Sequence, residues 1–292
     1  MNNGLEKTAM NEQLRITMLV ENTAVGPGIV AEHGLSYWIQ HGDRAVIFDT
    51  GQGNVMAGNA WRLGIRLEDA DVVVLSHGHY DHSGGLSDAL RGNRPVELFL
   101  HPAALERKFA RNFDGSARDA GIPITALQAT AKKNVHRRMI ESPTAVTDRL
   151  TATGPIPRAT DFEDVGGPFF LDESCTKPDP LIDDQSLFFE TPEGVVVLLG
   201  CAHSGVVNTL RYVGNLTDGK PISAVLGGMH LVQASSERIA LTIEEFRRMD
   251  VRLICPCHCT GPTATAAFWS AFPGRCKPCQ ASSRFTFDLA GK

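Results

Sequence analysis

The chain has 292 residues, 42% of them hydrophobic and 21% charged, which is the make-up of a globular domain that can build a full core without disulfide or metal staples. A net charge of −5 excludes a protein that tracks nucleic acid by bulk electrostatics. The one basic cluster, Lys132, Lys133, Arg137 and Arg138, reads as a solvated face.

Residues 1–13 read as a disordered tail, polar and without the apolar core of a secretory signal, and no run approaches membrane-spanning length. Residues 14–292 then read as a single domain. Short β-type runs occupy 15–20, 35–40 and 45–48, the last two joined by a turn at His41-Gly42-Asp43. Residues 72–75 form a continuous apolar run of the kind buried deep in a sheet, and 97–100 is another strand candidate. A helix is expected over 102–112. The stretch at about 113–185, rich in Pro and charge, reads as an insertion or lid. Beyond it, 187–190 and 195–199 flank a hairpin turn. Helices at 206–216, 237–249 and 263–272 then alternate with strands at 223–226, 251–254 and 283–289. Interleaved strands and helices with no fixed repeat imply α/β layering.

The chemistry gathers directly after the apolar run 72–75, in Ser76-His77-Gly78-His79-Tyr80-Asp81-His82-Ser83-Gly84-Gly85. Imidazole nitrogens and a carboxylate packed this closely suit zinc, and also iron or manganese. Ligands near in sequence converge at little cost in loop entropy. Structural zinc sites favour cysteine, whereas His and Asp sets suit centres with an open position for water. Three further strand candidates run into a histidine: His203 after Gly200-Cys201-Ala202, His230 after Gly227-Gly228-Met229, and His258 after Cys255-Pro256-Cys257. Together they outline one rim where strand ends meet.

With these residues in view, the chain resembles the metallo-β-lactamase superfamily, whose signature His77-x-His79-x-Asp81-His82 reproduces. The resemblance extends over nearly the whole chain to a branch that includes 7,8-dihydropterin-6-methyl-4-(β-D-ribofuranosyl)aminobenzene-5′-phosphate synthases. It is carried by Glu21-Asn22-Thr23, Glu32-His33-Gly34-Leu35-Ser36, Phe48-Asp49-Thr50-Gly51, Gly154-Pro155-Ile156-Pro157-Arg158, Asp183-Asp184-Gln185, Gly228-Met229-His230-Leu231 and His258-Cys259-Thr260-Gly261. It implies an αββα sandwich, two mixed β-sheets flanked by helices, with one or two metal ions, zinc first, at the strand ends. By the same resemblance His77 and His79 would hold a first ion, and Asp81, His82 and His258 a second. Asp49 would support them from behind. The pattern departs from the superfamily in two places. No histidine before His203 fits the third ligand of the first ion, which makes His203 the candidate. Gly200-Cys201 stands where a bridging aspartate is usual, so Cys201 is a possible thiolate ligand or a small buried residue. His230, His33 and Asp184 are candidates for touching substrate or supporting the ligands. The turn at Asp183-Asp184 reads equally as a surface turn or helix cap, and Arg158 as a weak candidate for an anionic substrate group.

Seven cysteines without secretory context suggest free thiols in the cytoplasm. Cys255, Cys257, Cys259, Cys276 and Cys279 read as buried thiols, or as a further metal or disulfide site. The expected function is metal-dependent hydrolysis of a small ester, amide or phosphoester, with Asp81 as the catalytic carboxylate. The alternatives are transfer of a dihydropterin methyl group from its diphosphate to an aminobenzene ribofuranosyl phosphate, or a metal sensor without turnover. No nucleic-acid or membrane partner is expected, and the oligomeric state is left open.

Overall fold

A computed structural model describes residues 12–290. Most of the tail expected over 1–13 lies outside the described residues, and Gln13 already opens the first strand. In chain order come β1 (Gln13–Val20), β2 (Ser36–His41), β3 (Arg44–Phe48), α1 (Met56–Arg62), β4 (Val72–Val74), α2 (Tyr80–Ser83), α3 (Leu86–Ala89) and β5 (Val96–Leu100). Then follow β6 (Phe109–Arg111), β7 (Ala117–Asp119), α4 (Ile124–Ala129), β8 (Val135–Met139), β9 (Thr144–Ala145), β10 (Thr151–Ala152) and β11 (Phe169–Phe170). The last part comprises β12 (Leu187–Thr191), β13 (Gly194–Leu198), α5 (Val206–Leu216), β14 (Ile222–Gly228), α6 (Ser236–Arg248), β15 (Leu253–Cys257), α7 (Pro262–Ala271) and β16 (Arg284–Asp288).

Among the described residues, one sheet runs β16-β1-β2-β3-β4-β5-β8 and a second β15-β14-β13-β12-β10-β9. Both are mixed: β3-β4-β5-β8 and β13-β14-β15 are parallel, the rest antiparallel. The alternation along each strand explains the layering. Val72 and Val74 point with Ile16, Tyr37 and Phe48 into a core shared with Phe189, Val196, Leu198 and Leu226 of the second sheet. Val73 and Leu75 face the other way, onto Met56, Ala60, Leu86 and Ala126 of the helices. On the second sheet Val195, Val197 and Val225 pack under Val207, Leu210, Phe246 and Phe268. Strands covered on both faces must be apolar at every position, which is why 72–75 reads as an unbroken run. The buried Tyr37 hydroxyl ties the sheets together, donating to Leu199 O at 2.9 Å. The result is the expected helix–sheet–sheet–helix sandwich. Among the described residues no helix is long and apolar enough to cross a membrane.

Two expectations change. The helix over 102–112 is instead a 3-10 turn at Pro102–Leu105 followed by strand β6. His101 caps the turn by accepting from Ala103 N at 3.1 Å. The chain then leaves it because Lys108 is drawn inside, where Nζ donates to Asp179 Oδ2 at 3.0 Å and Asp183 Oδ1 at 2.9 Å. The stretch 113–185, expected to be an insertion or lid, supplies strands to both sheets, and β11 joins β6 and β7 in a small separate sheet. Arg137 and Arg138 lie exposed on β8, the edge strand of the first sheet, with Arg138 paired to Glu97 at 2.9 Å. Charge along an edge strand discourages pairing with another chain, which is the solvated role expected of them.

Candidate metal centre

The C-terminal ends of β3, β4, β13, β14 and β15 meet at one rim, and each contributes a polar side chain. Asp49 follows β3 in a left-handed conformation, φ 59°, that a non-glycine residue adopts only when its surroundings hold it there. Three hydrogen bonds do so. Asp49 Oδ1 accepts from Ser76 N at 2.7 Å, and Oδ2 accepts from both Ser76 Oγ and His82 Nδ1 at 2.7 Å. Gly78 N donates to Asp183 Oδ2 at 2.8 Å, which anchors the loop from the other side.

The hydrogen-bond partners settle the histidine tautomers. Ser76 spends its hydroxyl proton on Asp49, so at 2.9 Å it accepts from His77 Nδ1. His203 Nδ1 donates to Val165 O at 2.7 Å. His258 Nδ1 donates at 2.9 Å to Asn22 Oδ1, which also accepts from Gly34 N at 3.1 Å. His77, His82, His203 and His258 therefore each carry a proton on Nδ1 and turn Nε2 inward. Those inward-facing nitrogens lie close to one another and to Cys201. His77 Nε2 lies 2.9 Å from His79 Nδ1, and His82 Nε2 lies 3.1 Å from His258 Nε2 and 3.0 Å from Cys201 Sγ. Nitrogen lone pairs this close repel unless a cation or proton lies between them. His203 Nε2 and His79 Nε2 are buried with no hydrogen-bond partner. The donor set and its tautomers fit metal ions.

Ligand atoms of His77, His79 and His203 lie within 4.8 Å of one another, as do those of His33, Asp81 and His258, and those of His77, His82 and Cys201. His258 Nε2 is 3.4 Å and His82 Nε2 3.8 Å from Asp81 Oδ2. The loop signature, His203, His258 and Cys201 are thus brought together as the sequence led one to expect. Burial, reinforced by neighbouring imidazoles, holds His77 and His203 well below the ordinary histidine range; burial does the same for His79 against the pull of Asp81. All three rings are neutral at pH 7. Burial also opposes charge on His82, but Asp49 and Asp81 outweigh it and hold the ring up to about 9. A bound cation would take the place of that proton. Asp81, despite its burial, is kept well below the usual carboxylate range by His82, His258 and His33.

The supporting residues sort differently. His33 is half exposed and reaches Asp81 Oδ2 through Nε2 at 3.1 Å. Asp183 and Asp184 are neither a surface turn nor a helix cap: both are buried, and Asp184 Oδ2 accepts from Ser204 N at 2.8 Å beside His203. His230 is buried at φ 44° with its ring 4.2 Å from that of His203, and it joins neither histidine-rich group. Arg158 is exposed and donates to Pro180 O, outside the cleft. Cys255, Cys257, Cys276 and Cys279 are buried free thiols in the two cores, and none belongs to a metal-sized group among the described residues. The sequence reading gave no role to Ser76, Asn22, Lys108, Phe169 or Arg118. Asn22 was visible only as part of the matching stretch Glu21-Asn22-Thr23 and Ser76 only as the neighbour of His77, and nothing local marked Phe169 or Arg118.

A cleft of about 370 Å³ opens over the centre, and a cavity of about 320 Å³ adjoins it, sharing Arg118, Phe169, His230 and Gln233. Phe169, from β11, lies with its ring 4.6 Å from that of His79 and tilted by 36°, and forms part of the wall. Several parts of 113–185 thus reach the site: Arg118 and Phe169 in the cleft wall, Val165 behind His203, and Asp183 and Asp184 under the loop.

A family model described as the metallo-beta-lactamase superfamily matches residues 30–258. An uncharacterized protein of Methanocaldococcus jannaschii is 32% identical over 254 residues, 84% of this chain and 90% of that protein. From the same organism, a 7,8-dihydropterin-6-methyl-4-(beta-D-ribofuranosyl)-aminobenzene-5′-phosphate synthase is 28% identical over 257 residues, 83% of this chain and 85% of the relative. Among solved structures, Tm1679, a metal-dependent hydrolase of the beta-lactamase superfamily, is 31% identical and superposes with a TM-score of 0.79 over 93% of this chain and 98% of that one.

Proposed function

The chain belongs to the metallo-β-lactamase superfamily, and from that premise we propose that it is a metal-dependent hydrolase of a small ester, amide or phosphoester. The observation that carries this reading is the inward convergence of imidazole nitrogens beside an open cleft. We assign His77, His79 and His203 to one ion, and Asp81, His82 and His258 to a second, with Cys201 as a thiolate in reach of both sets. Zinc suits this mixture of nitrogen, oxygen and sulfur; iron or manganese would suit the histidines and Asp81 better than the thiol. A cytoplasmic setting, where thiols stay reduced, fits the seven free cysteines.

Bound there, the metal supplies a more acidic water and polarises the scissile oxygen. The chain does the rest. Asp49 fixes His82 through Nδ1, and Ser76 fixes His77. Asp81, ionised and held by the His33 Nε2 proton, orients the attacking water and accepts its proton. Phe169 and His230 wall the cleft and keep bulk water from the reacting bond. Arg118, exposed at the mouth, makes no ion pair among the described residues, so it is available to a negatively charged part of the substrate.

A second reading is the synthase chemistry named for the 28%-identical relative, in which the methyl carbon of a dihydropterin methyl diphosphate would be joined to an aminobenzene ribofuranosyl phosphate and diphosphate would be released. Release of diphosphate from such a donor, with no hydrolysis across an ester and phosphodiester panel, would favour it. For either chemistry, Asp81→Ala should drop turnover by at least about a thousandfold while leaving the circular-dichroism spectrum intact. Full activity in the metal-loaded variant would sink the assignment of Asp81.

A further inference from the structure

A fourth group of donors lies beside the principal centre and is of a different chemical kind. Cys201, His230 and Cys259 are all buried, and a sulfur from each cysteine and a ring nitrogen from His230 lie within 4.8 Å of one another. His230 Nδ1 is buried and makes no hydrogen bond. The Cys259 thiol donates weakly to Cys201 O at 3.6 Å.

The backbone is shaped to bring these side chains together. Ala202 and His230 flank the group in left-handed conformations, φ 55° and 44°, unusual for residues with a Cβ. Gly228 makes the room: a Cβ there would stand 2.6 Å from Cys259 Sγ and 3.4 Å from the Cys201 Cα. None of this is needed to hold the histidine ligands of the principal centre, which have their own supports in Asp49, Ser76, Asn22 and Val165.

We propose that Cys201, Cys259 and His230 form a further binding site, adjoining the principal centre and sharing Cys201 with it, for a thiophilic cation of the zinc, cadmium or copper(I) type. Two sulfurs and one imidazole are a soft donor set, unlike the histidine and carboxylate set next to it. Each thiol gives its proton to solvent as the cation binds, two sulfur–metal bonds and one nitrogen–metal bond form, and nothing is oxidised or reduced. A fourth position is left for a ligand from the cleft. Because Cys201 also touches His82, a cation held here shares or takes the sulfur nearest the principal centre. A thiophilic ion is thereby given a direct means of altering that centre.

Cadmium(II) added to the zinc-loaded full chain is the probe, read by the ultraviolet absorption of thiolate-to-cadmium charge transfer and by elemental analysis of the gel-filtered protein. The absorption should rise and saturate in the wild type. Cys259→Ser should weaken cadmium binding by about tenfold or more and remove about half of the absorption, because one of two thiolates is lost. Zinc retained on the histidine ligands should not change. Cys279→Ser, which removes a buried thiol elsewhere, should behave as the wild type. No cadmium absorption in the wild type, an undiminished signal in Cys259→Ser, or an equal loss in Cys279→Ser would each overturn the proposal. None of these readouts depends on turnover, so failure of the hydrolase reading would leave them unaffected. Should Cys259→Ser fold poorly, His230→Ala tests the same site, with the same expected loss of affinity and retention of both thiolate signals.

Discussion

Burial pushes the Asp184 carboxyl up to about 6, and its Oδ1 has no hydrogen-bond partner, so the ionised form is held at a cost. The folded state prefers the protonated acid. The stability this provides is therefore present below the ordinary carboxyl pKa near 3.9 and is lost as pH rises through about 6. In the metal-free protein, Asp184→Asn should remove that loss while still accepting from Ser204 N. Urea titrations should find the variant more stable than the wild type at pH 7 by on the order of 2–3 kcal/mol, with the difference closing towards pH 4. A wild type equally or more stable at pH 7 would refute the account. Single residues were unevenly legible from sequence. Histidines at the ends of apolar runs announced themselves, because ligands after a buried strand have few other uses. Asp184 was visible as part of Asp183-Asp184-Gln185, but its burial was not, since a pair of aspartates next to a turn reads most simply as surface. Lys108 gave no signal, for its two carboxylate partners lie 71 and 75 positions away.

At the level of elements, the loop from β4 to α2 works only because it packs without clearance against the 3-10 turn at Pro102–Leu105. A Cβ on Gly78 would fall 2.2 Å from Ala104 O, a backbone atom that cannot swing aside. Gly78→Ala should therefore displace His77 and His79 together and lower metal content per chain, measured by elemental analysis, along with the melting temperature. Gly214→Ala in α5 is the control: a Cβ there meets nothing within 4 Å, so it should be neutral or gain up to about 1 kcal/mol from helix propensity. Retention of full metal by Gly78→Ala would show that the loop tolerates the strain. The expected helix over 102–112 failed at this same place. Local pattern favoured a helix after Pro102, and the buried ion pairs of Lys108, together with pairing of Phe109 and Ala110 to β11, outweighed it. Element boundaries elsewhere, such as α5 at Val206–Leu216, followed the apolar periodicity closely because packing and propensity agreed.

For the whole molecule, the centre is a seam between the two halves of the sandwich. Asp49, Ser76, His77, His79, Asp81 and His82 come from the first sheet, and Cys201, His203 and His258 from the second. A ligand bound across such a seam stabilises the folded chain by mass action, about 2.7 kcal/mol when present at a hundred times its dissociation constant. Removing metal with a chelator should therefore lower the melting temperature by several degrees, and adding zinc back should restore it, with little change in far-ultraviolet circular dichroism. An unchanged melting temperature in a protein shown to have lost its metal would mean that the seam does not depend on the ion. By itself, the sequence determined the layered α/β class, the histidine- and aspartate-rich loop after β4, and the expectation that His203 and His258 meet that loop. Periodicity and the clustering of ligands are local properties, written into short stretches of chain. Only the tertiary structure decided which ring nitrogen faces inward, that Cys201 reaches His82, and that Cys259 and His230 meet beside it. Those facts depend on strands far apart in sequence ending at a common rim, and no local pattern records the distance between them.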